Sequence, residues 1–123
     1  AKRIADGDFE SVDKRLRTAL EKEGFGVLTE IDVQATLKKK LNVDFRPYRI
    51  LGACNPELAY QALDAEDKIG TMLPCNVILQ TVEDGIEVAA IDPAESMRAV
   101  DNPALGEIAG SVRDKLKNVI ATL

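Results

Sequence analysis

Two similar segments, GACNPELA (Gly52–Ala59) and LPCNVILQ (Leu73–Gln80), lie in the stretch that organises this chain. Each places a Cys-Asn pair beside a proline, where a predicted β-strand meets a turn. In the first segment Asn55 is a preferred helix N-cap residue and Pro56 suits the first helical position. A strand that ends at Cys54 is therefore predicted to pass directly into a helix.

The rest of the chain alternates between helical and strand periodicity. Apolar residues three and four apart predict a first helix from Phe9 to Leu20, which is capped by Asp8 or Ser11 and ends at Gly24. Further helical segments are predicted from Asp32 to Leu41, from Asn55 to Leu63 and from Asn102 to Leu123, and 94–100 is predicted as a helical turn or a loop.

Strand patterns occupy the remaining segments. Four strands are predicted, and a fifth, brief edge strand is considered at Lys2–Ala5; the four are Phe25–Ile31, Tyr48–Cys54, Val77–Val82 and Ile86–Ile91. The last two are joined by Glu83-Asp84-Gly85 as a tight hairpin, which favours antiparallel pairing. We therefore predict one α+β domain over residues 1–123, with helices packed on an antiparallel sheet.

Composition limits the functions that this chain can perform. The chain contains 21 acidic and 16 basic residues, so its net charge of −5 argues against nucleic acid or an anionic membrane surface as partner. It contains no histidine, which excludes Ser-His-Asp and Cys-His catalysis and imidazole-rich metal sites built from this chain alone. We see no apolar run near the ~20 residues of a membrane span and no signal peptide, so a cytoplasmic location is expected.

Two cysteines, Cys54 and Cys75, are too few for a disulfide framework of the secreted kind. Because Cys54 precedes a helix N-terminus, a thiolate or a bound anion would be stabilised beside it. If the two strands are antiparallel neighbours, both thiols lie together on one rim of the sheet. The chain begins with Ala1 and not Met, so a trimmed start stays open.

Three interpretations of this rim remain open. Both thiols pack as small hydrophobic groups, or they form a redox pair or a soft-metal site with Met72 as a third ligand. Alternatively, the helix cap forms a pocket for a small molecule or an anion, contacted by Asn55, Asn76 and either Arg46 or Arg49.

Two other features have simpler interpretations. The run Lys38-Lys39-Lys40 on the short second helix is interpreted as a solvated face in preference to an anion site. Gly106 and Gly110, four residues apart on the last helix, predict that a sheet or a partner approaches that helix closely.

Three longer segments resemble the DUF302 family, a group of small, mostly bacterial domains of unknown function. They are GFGVLTEIDVQATLKKKL (Gly24–Leu41), FRPYRILGACNPELAYQAL (Phe45–Leu63) and IGTMLPCNVILQ (Ile69–Gln80). The resemblance implies a two-layer fold with a curved, five-stranded antiparallel sheet in β-α-β(4)-α order with extra short helices, similar to the half-domain of TATA-binding proteins. It also implies a first strand near Arg3 and a homodimer, but not DNA binding.

The resemblance brings no activity and no cofactor. It implies importance without a catalytic role for Cys54, Asn55, Pro56, Pro74, Cys75 and Asn76. Our leading hypothesis is a non-enzymatic binding module whose Cys54/Cys75 rim holds a small ligand, an anion or a soft metal, or forms a reversible disulfide. The alternative is a structural or interaction domain with packed cysteines. A thiol-dependent enzyme would need Glu57 or Asp92 as its base.

Overall fold

The computed structural model describes all residues from 1 to 123. The strands are Lys2–Ile4 (β1), Gly26–Asp32 (β2), Tyr48–Cys54 (β3), Cys75–Val82 (β4) and Gly85–Ala90 (β5). They form one antiparallel sheet in the order β1-β5-β4-β3-β2. The brief edge strand considered from the sequence is present, and it pairs with β5.

Five α-helices and one 3-10 helix complete the chain. They are Phe9–Lys22 (α1), Val33–Leu41 (α2), Pro56–Ala65 (α3), Pro93–Ser96 (α4), Pro103–Ala121 (α5) and the 3-10 helix Asp67–Met72. The predicted α+β class and the β-α-β(4)-α order are confirmed, with α2, α3, α4 and the 3-10 helix as the additional elements. None of these helices is long and apolar enough to cross a membrane. The cytoplasmic location stays a prediction.

The α-helices begin where the sequence supplies a cap. Asp8, Asp32, Asp92 and Asn102 each accept a hydrogen bond from a backbone amide in the first turn of the following helix. Asn55 caps α3 in the same way, because its side-chain oxygen accepts from the Leu58 amide at 3.2 Å. These caps explain why the helix starts were predictable.

The main core lies on one face of the sheet, beneath α1 and α5. It contains Val12, Leu16 and Leu20 from α1, Leu116 and Val119 from α5, and Leu51, Val77, Leu79 and Val88 from the strands. A smaller cluster joins α3, the 3-10 helix, α4 and the first half of α5 through Ala62, Ile69, Met97, Leu105 and Ala109. Helix α5 therefore ties the two clusters together.

Two details depart from simple periodicity. Strict alternation along β2 would place Thr29 on the same face as Val27, but a bulge between these two residues turns Thr29 to the other face. Helical spacing would bury Leu58, Ala59, Ala62 and Leu63 along α3, but only Ala62 is buried and Leu63 is 43% exposed. Both differences arise from tertiary context that periodicity does not register.

No sheet strand of this chain approaches Gly106 or Gly110 closely, and the approach of a partner there stays a prediction. A methyl group added at either glycine would meet no atom within 4 Å. We therefore expect Gly106→Ala and Gly110→Ala each to raise the free energy of unfolding by about 0.5–1 kcal/mol, because alanine loses less conformational entropy in a helix. Chemical denaturation measures this. Gly24→Ala is the opposing control, since Gly24 has a φ of +84°. A lower stability of the Gly106 and Gly110 variants would contradict the expectation.

Candidate functional site

The second face of the sheet is covered by neither α1 nor α5, and we call it the open face. A row of apolar side chains crosses its centre from strand to strand. The backbone register aligns Ile31 with Ile50, Ile50 with Ile78, and Ile78 with Ala89. Ile31 is 47% exposed, and the other three are half-buried. We call these four residues the apolar row.

A polar row runs beside the apolar row, across the start of β3. It consists of Tyr48, Gln80, Glu87 and Arg3, aligned by the register. Arg46 donates to Gln80 Oε1 at 2.8 Å, and Gln80 Nε2 donates to Glu87 Oε1 at 2.9 Å. The Arg46 guanidinium also lies 4.4 Å from the Phe45 ring centroid. These contacts hold the polar row in one arrangement.

The opposite side of the apolar row carries no charged side chain in β2, β3 or β4. Thr29, Gly52 and Asn76 are aligned there, and Cys54 lies further towards the end of β3. Asn76 is exposed. Gly52 is buried because the Thr29 side chain and the Pro74 ring lie over it. The open face thus has an apolar centre between one charged border and one uncharged border.

The two cysteines do not share a rim. Cys75 pairs with Ala53 and lies in the core with it, 7% exposed. Because side chains alternate along a strand, Cys54 points to the open face instead. The prediction that β3 and β4 are antiparallel neighbours is correct. The register between them, however, places the two thiols on opposite faces of the sheet. Both cysteines are free, and side chains that point apart cannot be bridged without backbone movement.

Neither thiol is activated. Burial raises the pKa of the Cys54 thiol, and burial together with the negative charge of an ionised Cys54 raises the pKa of Cys75. Nucleophilic attack and metal binding both require the thiolate, which a raised pKa disfavours. No group of three or more His, Cys, Asp or Glu side chains is arranged to hold a metal. The predicted soft-metal site required both cysteine thiols together with Met72. Because the two thiols point to opposite faces of the sheet, they do not form such a site with Met72.

The two candidate arginines do not converge on Cys54 either. Arg49 pairs with the core residue Leu79 and points to α1, where its guanidinium binds Asp13 at 2.9 Å. Arg46 lies just before the start of β3, whereas Cys54 is its last residue. The strand between them is roughly 20 Å long at ~3.3 Å per residue. One small ligand therefore cannot contact either arginine and Cys54 together.

The remaining predicted residues have structural contacts. Asn55 caps α3 and also donates to the Glu23 carbonyl at 3.3 Å, which joins the start of α3 to the end of α1. Pro56 occupies the first turn of α3. Asp92, suggested as a catalytic base, accepts hydrogen bonds from the amides of Ala94 and Glu95.

Sequence reasoning missed the open face, although a signal was present. The segments RILGA (Arg49–Ala53) and NVIL (Asn76–Leu79) are nearly continuous apolar runs, not the alternation typical of a sheet with one solvated face. Such runs indicate strands that are buried on both faces. In this chain only one face is covered by α1 and α5.

The comparisons with known proteins agree with this fold. The family model of the domain of unknown function DUF302 matches residues 1–123. The structure is similar to the crystal structure of an uncharacterized conserved protein DUF302 from Bacillus stearothermophilus, with a TM-score of 0.88 and 30% sequence identity. The match covers 98% of this chain and 93% of that chain. No curated protein matches this chain.

Proposed function

Since this chain belongs to the DUF302 family, whose function is unknown, we propose that it is a protein-interaction domain that pairs with a second copy of itself through the open face. The apolar row is the observation that carries this proposal. A face of this kind, apolar at its centre with polar borders, has the organisation of a protein interface. Because the Cys54 and Cys75 side chains point to opposite faces of the sheet, the structure does not favour a ligand held between the two thiols.

The charge distribution favours a second copy as the partner. Arg3, Arg46, Glu87 and Asp84, which is the ion-pair partner of Arg3, give the open face and its border a net charge of 0, whereas the whole chain carries −5. The rest of the molecule is therefore more negative than the open face. Two copies that approach through this face avoid the repulsion between their acidic surfaces.

Helix α2 supports the same partner. None of its side chains is buried, and Leu41 is 66% exposed. A helix this short is marginal in water without tertiary packing. Its segment 33–41 contains three lysines and no acidic residue, so the remaining residues carry −5 − 3 = −8. Its exposed apolar and basic side chains lie beside β2, so a second copy that packs against the open face and α2 meets no acidic residue of α2.

The size of the open face predicts a weak dimer. At ~3.3 Å per residue along β3 and ~4.8 Å for the width of each of four strands, the open face measures roughly 400 Å² in each copy. Two such faces bury about 800 Å², below the 1,200–2,000 Å² of stable interfaces, and contacts of α2 add to this. We therefore expect a dimer that dissociates at micromolar concentrations.

Sedimentation velocity across micromolar to millimolar concentrations tests the proposal with Ile31→Lys. The substitution places a charge in the apolar row, where Ile31 is already 47% exposed, so the monomer should keep its stability while the dimer is lost. The matched control is Tyr60→Lys on α3, because Tyr60 is 72% exposed and lies outside the sheet. This control should dimerise as the wild type does.

Two results would overturn the proposal. One is a wild-type protein that stays monomeric throughout the concentration range. The other is a dimer that survives Ile31→Lys unchanged, which would assign self-association to a different surface. Circular dichroism of each variant verifies that the fold is intact.

A further inference from the structure

A cavity of about 290 Å³ lies between the end of β5 and the second half of α5. Its walls are mainly apolar, and its polar members are few. The apolar residues are Ala1, Ala90, Ile91, Leu116, Ile120 and Ala121; the polar residues are Asp92, Arg113 and Lys117. An apolar cleft with a small number of polar groups is the common form of a small-molecule site.

The two cations of this cavity lack a strong anionic partner. Arg113 and Lys117 are four residues apart, so they lie on one face of α5 and repel each other. The Arg113 side chain is 41% exposed as a whole, but its Nε atom is buried without a hydrogen-bond acceptor, and the nearest carboxylate oxygen, on Asp114, is 3.8 Å away. An unsatisfied buried donor is unfavourable and uncommon in folded proteins.

The carboxylate of Asp92 does not neutralise these cations through a hydrogen bond. It accepts instead from the backbone amides of Ala94 and Glu95, at 3.0 and 3.4 Å. The side chains that line the cavity therefore include two cations and one carboxylate, a net charge of +1, next to hydrocarbon. A ligand that satisfies both features must carry an anionic group and an apolar portion.

We propose that this cavity binds an aliphatic monocarboxylate. The carboxylate accepts from the Arg113 guanidinium, which favours planar carboxylates, and Lys117 adds a second positive charge. The hydrocarbon chain lies against Ile91, Leu116 and Ile120. The volume of about 290 Å³ lies near the lower end of the range for small-molecule pockets, so the carboxylate chosen as probe has a short chain, as octanoate does. This inference is independent of the proposed dimer.

Isothermal titration of the full chain with octanoate tests the proposal, with amide chemical shifts to locate the site. Octanoate should shift the resonances of Ala90, Ile91 and Ile120. Octanol, which has the tail without the charge, and acetate, which has the charge without the tail, should each bind at least about tenfold more weakly. These two comparators separate the contributions of the two parts of the ligand.

Variants then assign the charge to Arg113. Arg113→Gln should weaken octanoate binding by about tenfold or more, and Lys117→Gln by less, because Lys117 is exposed. The control is Arg98→Gln, whose side chain is 78% exposed on another segment and should leave binding unchanged. Octanol binding as tightly as octanoate, an Arg113→Gln variant with unchanged affinity, or no octanoate binding at millimolar concentration would overturn the proposal.

Discussion

Asp13→Ala is expected to lower the free energy of unfolding by about 3 kcal/mol. Asp13 is 6% exposed and joins two arginines, accepting from Arg17 Nε at 2.6 Å and from Arg49 Nη1 at 2.9 Å. Its removal leaves two half-buried guanidinium groups facing each other without the carboxylate between them. Breaking a buried ion pair costs about 3–5 kcal/mol, and we take the lower end because Glu10 and Glu30 still bind the arginines.

Chemical denaturation of the wild type and the variant measures this loss. The matched control is Asp84→Ala, which removes the partner of Arg3 in an ion pair of similar length, 2.7 Å. Because the Arg3 and Asp84 side chains are 57% and 66% exposed, this control should cost less than about 1 kcal/mol. Equal losses in the two variants would show that burial does not strengthen the Asp13 network.

The same network predicts how stability depends on pH. Burial alone would raise the pKa of Asp13, but hydrogen bonds and charges from Arg17 and Arg49 outweigh burial and hold the pKa below 3.8. The folded state therefore binds this proton less readily than the unfolded state does. The stabilisation is fully present above pH 3.8 and is lost as the pH falls through the lower folded pKa. The stability difference between wild type and Asp13→Ala should consequently narrow in acid.

The helices and strands were predictable because their signals are local. Asn55 and Pro56 mark the start of α3 through cap chemistry that involves adjacent residues only, and the bounds predicted for β3 match the structure. Likewise, Glu83-Asp84-Gly85 marks the hairpin between β4 and β5. Each of these features depends on residues that are close together in the chain.

The cysteine rim was not predictable because it depends on register. Antiparallel pairing of β3 and β4 was expected, but the pairing of Cys75 with Ala53, and not with Cys54, is a difference of one residue. A shift of one residue moves a side chain to the other face of the sheet. Sequence pattern alone does not determine the register of β3 and β4. The two thiols were therefore predicted to be neighbours, whereas the structure places them on opposite faces.

The ionic network was missed for a related reason. The i, i+4 spacing of Asp13 and Arg17 along α1 is typical of an ion pair on the solvated side of a helix. Arg49 comes from β3, and the sheet register directs it towards α1. The burial of Asp13 therefore depends on a residue that is distant in sequence.

Gly52→Ala is expected to destabilise the fold by about 3 kcal/mol, because overpacking of a rigid site costs about 1–3 kcal/mol and occasionally more. An added methyl would lie 2.7 Å from Pro74 Cγ and would overlap Thr29 Oγ1. The proline ring and the β-branched threonine have little freedom to move aside. Gly26→Ala is the matched control, since Gly26 is in the adjacent strand and a methyl there meets no atom within 4 Å.

A double-mutant cycle with Thr29→Ala identifies the source of this cost. Removing the Thr29 hydroxyl relieves the overlap, whereas the contact with Pro74 remains, so the double variant should regain about half of the stability lost in Gly52→Ala. Strictly additive losses would instead mean that the Thr29 hydroxyl is not what excludes the methyl.

If the coupling is found, the first Cys-Asn segment has a structural explanation at most positions: Gly52 leaves room for Thr29 and Pro74, Ala53 packs in the core, and Asn55 caps α3. Cys54 would then be the one position in GACN whose side chain the fold itself does not require, and it lies on the open face.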